Sequence, residues 1–84
     1  MHYTDDLTPT MMKVLAFIRD HQKEHGYPPT QREVGAAMGW SSSQTAHAAI
    51  LRLRERGLVN YKPSTMRSLV LSPSGKMVLE TEAM

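Results

Sequence analysis

The 84-residue sequence is long enough for one small domain with a single core. The absence of cysteine excludes a disulfide framework and a thiolate metal site, and it suits a reducing compartment, so we expect a cytoplasmic protein. No apolar run approaches the roughly 20 residues that span a bilayer, and the N-terminus lacks the basic and then apolar pattern of a signal peptide.

The charges are unevenly distributed along the chain. The formal net charge is only +2, but six basic side chains lie between residues 41 and 79, with Glu55 as the single acidic one. A basic half of this kind suits a polyanion such as nucleic acid. It is equally compatible with an ordinary solvated surface, so charge alone does not decide between the two.

The first predicted element is a helix that starts after Thr8 and ends at Gly26. Thr8 can cap the helix, Pro9 suits the first helical position, and Leu7 with Met12 fits a hydrophobic staple. Apolar residues recur at helical spacing, which predicts a face turned to the core. These residues are Met11, Val14, Leu15 and Ile18, with Phe17 beside them.

A second, short helix is predicted from Gln31 to Met38. Two consecutive prolines break the chain before it, and Thr30 with Glu33 forms a capping-box pattern that restarts a helix. Gly35 in its middle costs about 1 kcal/mol relative to alanine, for which a close helix crossing is one physical reason. Gly39 ends the helix, and Trp40 is expected to pack in the following turn.

The third predicted helix runs from about Ser43 to Arg56, between the cap Ser42 and the stop Gly57. At 100° per residue it has one apolar and one mixed face. The apolar face consists of Ala46, Ala49, Ile50 and Leu53. The opposite, exposed face consists of Gln44, Ala48, Leu51 and Glu55, flanked by Thr45, His47 and Arg52.

Two short strands, 58–61 and 68–71, are predicted after the third helix, joined by the loop 62–67. The expected fold class is therefore mainly α with a small β-hairpin, that is, three helices followed by a two-stranded wing. Ser72 as a cap and Pro73 at a first helical position are compatible with a short terminal helix, although Gly75 counts against it. The expected domain boundaries are an N-terminal tail at 1–6, the domain at 7–72 and a C-terminal segment at 73–84.

The second and third helices match the requirements of a DNA-binding helix-turn-helix, because the third begins with short polar side chains that can approach a major groove. An ordinary capped helix start would look similar. The residues predicted to read bases are Ser42, Gln44, Thr45, His47, Ala48 and Leu51. Those predicted to bind phosphates are Thr30, Ser41, Ser43, Arg52, Arg54, Lys62, Ser64, Thr65 and Arg67.

Three stretches, "LTPTMMKVLAFIRDH", "GYPPTQREVGAAMGW" and "LRERGLV", closely resemble the N-terminal DNA-binding domain of the LexA repressor family. The similarity covers roughly residues 7–71. It implies a winged helix-turn-helix that binds double-stranded DNA in a sequence-specific manner as a transcriptional regulator, with repression the expected outcome. The third helix would enter the major groove, and the wing would lie on the phosphate backbone.

The family reads bases through a pattern similar to Ser-x-Asn-Ala-x-Glu-Glu. The aligned positions here are Ser42, Gln44, Thr45, His47 and Ala48, of which only the serine is kept. The replacement of two glutamates by His47 and Ala48 is expected to remove acceptors for a cytosine amine, so the usual operator of the family is not implied. The family continues into a self-cleaving, dimerising domain for which this chain leaves no room, so we expect no self-cleavage and at most a weak homodimer.

The sequence also contains residues that could suggest other classes of function. His21 and His25 lie one helical turn apart, but no third ligand completes a metal site, and they are expected to be exposed. Ser43 and His47 lack an acid that would make a catalytic triad. We therefore expect no enzyme, no metal, no cofactor, no small-molecule ligand and no membrane contact. The open alternative is a protein-binding winged-helix adaptor or anti-repressor, with an exposed Leu51 as its anchor.

Overall fold

The computed structural model describes residues 8–65 and 67–83, so the tail 1–6 and the staple residue Leu7 lie outside it. Within this part of the chain the fold is a winged helix-turn-helix with a further helix after the wing. The elements in chain order are α1 (Pro9–His25), α2 (Gln31–Met38), α3 (Ser43–Glu55), β1 (Val59–Asn60), β2 (Val70–Leu71) and α4 (Pro73–Ala83). None of these helices is long and apolar enough to cross a bilayer.

Local capping signals set the helix limits close to where the sequence predicts them. The Thr8 hydroxyl accepts a hydrogen bond from the backbone N–H of Met11, and both bonds of the Thr30–Glu33 capping box are present. The Ser42 hydroxyl caps α3. This helix ends one residue earlier than predicted, with Arg56 as its C-cap, because Gly57 turns the chain at a φ of 73°.

The core lies between α1 and the other elements. The predicted face of α1 is buried as expected, and Val34, Ile50 and Leu53 of α2 and α3 pack against it. Residues of the wing and of α4 complete the cluster. They are Leu58, Val59, Leu69, Val78 and Leu79. Trp40 is half-buried and packs against the cluster, as predicted, whereas Ala49 is only half-buried rather than part of the core.

The wing is an antiparallel pair in which Val59 lies opposite Leu71 and Asn60 opposite Val70. The strands are shorter than the four residues predicted for each. At Lys62 the strand pairing is replaced by a side chain, because the Ser68 hydroxyl accepts from the Lys62 N–H at 2.9 Å and donates to the Lys62 carbonyl at 2.8 Å.

The terminal helix α4 is present. The packing at its start explains why residue 75 is glycine, although this glycine counted against a helix in the sequence. Ser72 caps the helix, since its hydroxyl accepts from the Gly75 N–H at 3.1 Å. A Cβ at position 75 would collide with the carbonyl oxygen of Leu58, so only glycine allows α4 to approach this closely. A Cβ at Gly35 would instead lie 3.5 Å from the Cβ of Ala46. The crossing of α2 and α3 therefore has room for a methyl group, and the close crossing suggested for Gly35 does not require glycine.

Candidate nucleic-acid interface

The start of α3 forms an exposed polar surface, as the sequence predicts. Ser42, Gln44, Thr45 and Ala48 are exposed. His47 is half-buried, because its ring lies beside the start of α2. The surface is thus composed of short side chains that keep no bulk between the α3 backbone and a partner.

Leu51 corrects one expectation. It was placed on the exposed face as a base contact or as an anchor for a protein partner, but it is half-buried. Because only part of its side chain is exposed, Leu51 adds less apolar surface to the α3 face than a fully exposed leucine would. A protruding apolar anchor, which the adaptor hypothesis requires, is therefore not formed by Leu51.

Gln31, at the first position of α2, connects α2, α3 and the wing. Its side-chain Nε2 donates to the carbonyl of Ser43 at 3.1 Å. Its Oε1 accepts from the hydroxyl of Tyr61 at 3.1 Å and lies 3.0 Å from Nδ1 of His47. These roles of Gln31 and Tyr61 are not visible in the sequence, because no local pattern brings together residues that lie so far apart in the chain.

The wing places basic and hydroxyl side chains beside α3. Lys62, Ser64 and Thr65 are exposed, and Arg54 reaches from the last turn of α3 to the carbonyl of Tyr61 at 3.1 Å. Arg52 is exposed on α3. Arg54 and Lys62 thus lie together beside Tyr61.

Arg67, predicted to contact phosphate, also makes contacts inside the domain. Its Nη1 donates to the carbonyl of Pro28 at 2.9 Å and to the Glu33 carboxylate at 3.0 Å. Its guanidinium lies 4.4 Å from the centre of the Tyr27 ring. Arg67 therefore binds the base of the wing to the loop between α1 and α2 through Nη1.

Glu33 is the acidic centre of this junction. Its pKa lies below the ordinary value of 4.5, chiefly because the backbone N–H of Thr30 donates to the carboxylate, and Arg67 lowers the pKa further against the opposing effect of burial. The Thr30 hydroxyl is occupied as the cap of α2. Thr30, predicted to contact phosphate, thus caps α2 through its hydroxyl oxygen, and its phosphate contact stays a prediction.

An open groove of about 670 Å³ separates the turn before α3 from the wing, and we call it the front groove. It brings together most of the predicted phosphate contacts, and it adds Arg32, an exposed residue of α2 that the sequence analysis missed. The polar residues at its rim include Thr30, Arg32, Ser41, Ser42, Ser43, Ser64, Thr65 and Arg67. Arg54 and Lys62 line a separate depression on the other side of Tyr61, and Arg52 lines neither.

The two histidines of α1 differ in burial, contrary to expectation. His25 is exposed, but His21 is buried, with Nδ1 donating to the carbonyl of Tyr27 at 3.0 Å and Nε2 3.8 Å from the Glu33 carboxylate. The ring also packs between Phe17 and Tyr27. Within residues 8–65 and 67–83, no cluster of His, Cys, Asp or Glu side chains could hold a metal ion.

A comparison with known families identifies the family of this chain. The family model described as "LexA DNA binding domain" matches residues 4–68. The chain belongs to the LexA DNA-binding domain family. Among curated LexA repressors, that of Limosilactobacillus reuteri (strain DSM 20016) is 44% identical over 68 residues, which are 81% of this chain and 33% of the relative. That of Bacillus thuringiensis (strain Al Hakam) is 35% identical over 79 residues, 94% of this chain and 38% of the relative. The chain thus spans about a third of the length of these LexA repressors.

Solved structures share the fold of this LexA-family domain. MepR, a transcription regulator of the Staphylococcus aureus multidrug efflux pump MepA, superposes with a TM-score of 0.77 at 18% identity, covering 95% of this chain and 58% of MepR. The chain in the crystal structure of an S. aureus MepR–DNA complex gives a TM-score of 0.74 at 21% identity, covering 93% and 55% of the two chains. Bordetella bronchiseptica BpsR gives a TM-score of 0.68 at 26% identity, covering 96% and 56%.

Proposed function

We propose that this domain binds double-stranded DNA in a sequence-specific manner and acts as a transcriptional regulator, with repression as the outcome. The observation that carries the proposal is the exposed polar start of α3 beside the basic wing, in a chain of the LexA DNA-binding family. Relatives named LexA repressors support the direction of regulation. We also propose a cytoplasmic location for a regulator of this kind.

In the proposed complex, the N-terminal half of α3 lies in the major groove. Gln44 can pair with an adenine through two hydrogen bonds, Thr45 can contact a base edge, and the methyl group of Ala48 can meet a thymine methyl. All three side chains are exposed and close to the helix start, where the backbone can approach the bases. The bases are thus read by a set of side chains different from that of the family pattern.

The proposed phosphate contacts flank this reading surface on both sides. The hydroxyls of Ser41 and Ser43 lie at the N-terminus of α3, where free backbone amides and the helix dipole favour an anion. On the other side, Lys62 and the hydroxyls of Ser64 and Thr65 extend from the wing tip. A phosphate backbone that lies along the front groove would therefore meet hydroxyl donors from the start of α3 and from the wing together.

The decisive experiment compares the salt dependence and the base preference of binding. Purified chain is titrated against duplexes recovered by selection from a random pool, at several salt concentrations. We expect affinity to fall steeply with salt, with Lys62→Ala reducing the slope of log K against log salt by about 1. Lys76→Ala is the matched control, because this exposed lysine lies on α4 beside α1 and should leave the slope unchanged.

Gln44→Ala separates base reading from phosphate binding. It should leave the salt slope unchanged and weaken discrimination at one base pair by about 1–3 kcal/mol. Binding that is insensitive to salt and indifferent to sequence would instead favour the protein-binding adaptor and refute the proposal. A single copy should bind weakly, and light scattering of the complex shows whether two copies occupy two half-sites.

A further inference from the structure

The orientation of the Gln31 amide follows from one backbone contact. The carbonyl of Ser43 has lone pairs and no proton, so the Gln31 atom at 3.1 Å from it must be the NH₂ group. The amide oxygen then faces Tyr61 and His47. The arrangement is thus fixed by chemistry, because an inverted amide would place oxygen against oxygen.

The same reasoning gives the position of the proton on His47. An amide oxygen only accepts hydrogen bonds, so Nδ1 of His47, at 3.0 Å from Oε1 of Gln31, must carry a hydrogen and donate it. A neutral imidazole has one protonated nitrogen and one lone pair. In the neutral ring, Nε2 is therefore the hydrogen-bond acceptor.

The Nε2 atom of His47 is open to a partner. Among the described residues it has no hydrogen-bond partner, whereas no buried side-chain nitrogen or oxygen in that part of the chain is unpaired. Nε2 must therefore reach the surface. His47 follows Gln44 by one helical turn on α3 and precedes Ala48, and both of these neighbours are exposed.

We propose that Gln31 is a specificity-determining residue that holds His47 as a hydrogen-bond acceptor towards the DNA, which rests on the proposed function. In the major groove, adenine N6 and cytosine N4 present donors, whereas guanine and thymine present acceptors at the corresponding positions. An Nε2 lone pair therefore selects adenine or cytosine and repels guanine O6 and thymine O4. His47 would thus supply an acceptor for a base amine, which the replacement of the family's glutamate was expected to remove. Gln31 is a positioning residue, since it acts through the imidazole.

The first test needs no DNA. In the ¹⁵N-labelled chain at about pH 8.5, where an ordinary imidazole is neutral, long-range ¹H–¹⁵N correlations show which ring nitrogen is protonated. We expect Nδ1–H for His47 in the wild-type chain. Gln31→Met keeps the length of the side chain but removes the acceptor, so the ring should shift to Nε2–H or to a mixture. Tyr61→Phe is the matched control, because it removes the other donor to the amide and leaves the bond to His47 intact.

The second test measures base preference. His47→Ala identifies the base pair that His47 contacts, and four duplexes that differ only there are then compared. The wild-type chain should prefer adenine or cytosine by about fivefold to tenfold, as expected for a single hydrogen bond. Gln31→Met should lose or reverse this preference with an unchanged salt slope, and Tyr61→Phe should retain it. Thermal unfolding of each variant confirms that it is folded.

The outcomes separate the inference from the proposed function. An Nε2–H tautomer in the wild-type chain, or an unchanged preference in Gln31→Met, would overturn the role of Gln31 while DNA binding stands. A chain with the Nδ1–H tautomer that fails to bind DNA selectively would refute the proposed function, and with it the base-reading role of His47. Nδ1–H together with a preference that depends on Gln31 supports both.

Discussion

Replacing glycine by alanine should have opposite effects in two helices of this domain. A Cβ at position 75 would collide with the carbonyl oxygen of Leu58 and lie 3.1 Å from its carbonyl carbon. That carbonyl cannot move freely, because it accepts the Ser72 N–H at 3.1 Å. A Cβ at position 35 would meet only the Ala46 Cβ, at the ordinary contact distance of 3.5 Å.

The magnitudes follow from two effects. Alanine is favoured over glycine by about 1 kcal/mol inside a helix, and this gain applies in full to Gly35, in the middle of α2. It is smaller for Gly75, in the first turn of α4, where forcing extra volume against backbone costs about 1–3 kcal/mol. A change of 1 kcal/mol shifts the Tm of a domain this size by about 4–8 °C. Gly35→Ala should therefore raise Tm by about 4–8 °C, whereas Gly75→Ala should lower Tm, because the cost of the clash exceeds the smaller helical gain at that position.

The assay is thermal unfolding followed by circular dichroism, with urea unfolding at 25 °C as a second measure. An unchanged urea m-value shows that each shift reflects stability rather than a change in the unfolded state. A Gly75→Ala variant as stable as the wild-type chain would show that α4 does not approach Leu58 as described. A destabilised Gly35→Ala variant would show that α2 and α3 lie closer together than described, with less than 3.5 Å between a Cβ at position 35 and the Ala46 Cβ.

Three further predictions concern the capping junction, the core and α4. The lowered pKa of Glu33 means that its carboxylate contributes stability in full above about pH 4.5 and loses this contribution as the pH falls through the lower folded pKa. The free energy of unfolding, measured with urea from pH 6 to pH 3, should therefore depend less on pH for Glu33→Gln than for the wild-type chain. The same pH dependence in both proteins would contradict the prediction. Leu15→Ala, at a position with 0% exposure, should cost about 2–5 kcal/mol in urea unfolding, and a cost below 1 kcal/mol would place Leu15 outside the packed core. Ser72→Ala removes the cap of α4 and should cost about 0.5–2 kcal/mol, whereas Ser74→Ala, on the same helix, should cost less.

The helices could be predicted from sequence because their signals are local. Thr8, the Thr30–Glu33 pair and Ser42 lie within three residues of the amides they cap, so their effect is visible in a short window. The exposed start of α3 follows from the same helical periodicity. The two strands of the wing also followed from local strand and turn residues, and the family match over residues 4–68 confirms the resemblance to the LexA DNA-binding domain.

The parts that could not be predicted depend on contacts between distant segments. Arg67 meets Glu33 across 34 residues, and Tyr61 meets Gln31 across 30, so neither pairing leaves a pattern in the sequence. Helical spacing placed His21 one turn from His25 but could not show that the loop after α1 folds back over His21. Gly75 was misleading for the same reason, because its cause is a carbonyl of the wing.

Leu58 connects the fourth helix to the third through two backbone hydrogen bonds. The Leu58 N–H donates to the carbonyl of Leu53, and the Leu58 carbonyl accepts from Ser72, each at 3.1 Å, so one residue joins the last turn of α3 to the start of α4. We therefore expect a displacement of α4 to act on α3 through these two backbone hydrogen bonds. A reporter protein fused after α4 should accordingly be attached through a flexible Gly/Ser linker, because a stiff attachment that displaces α4 should also displace α3.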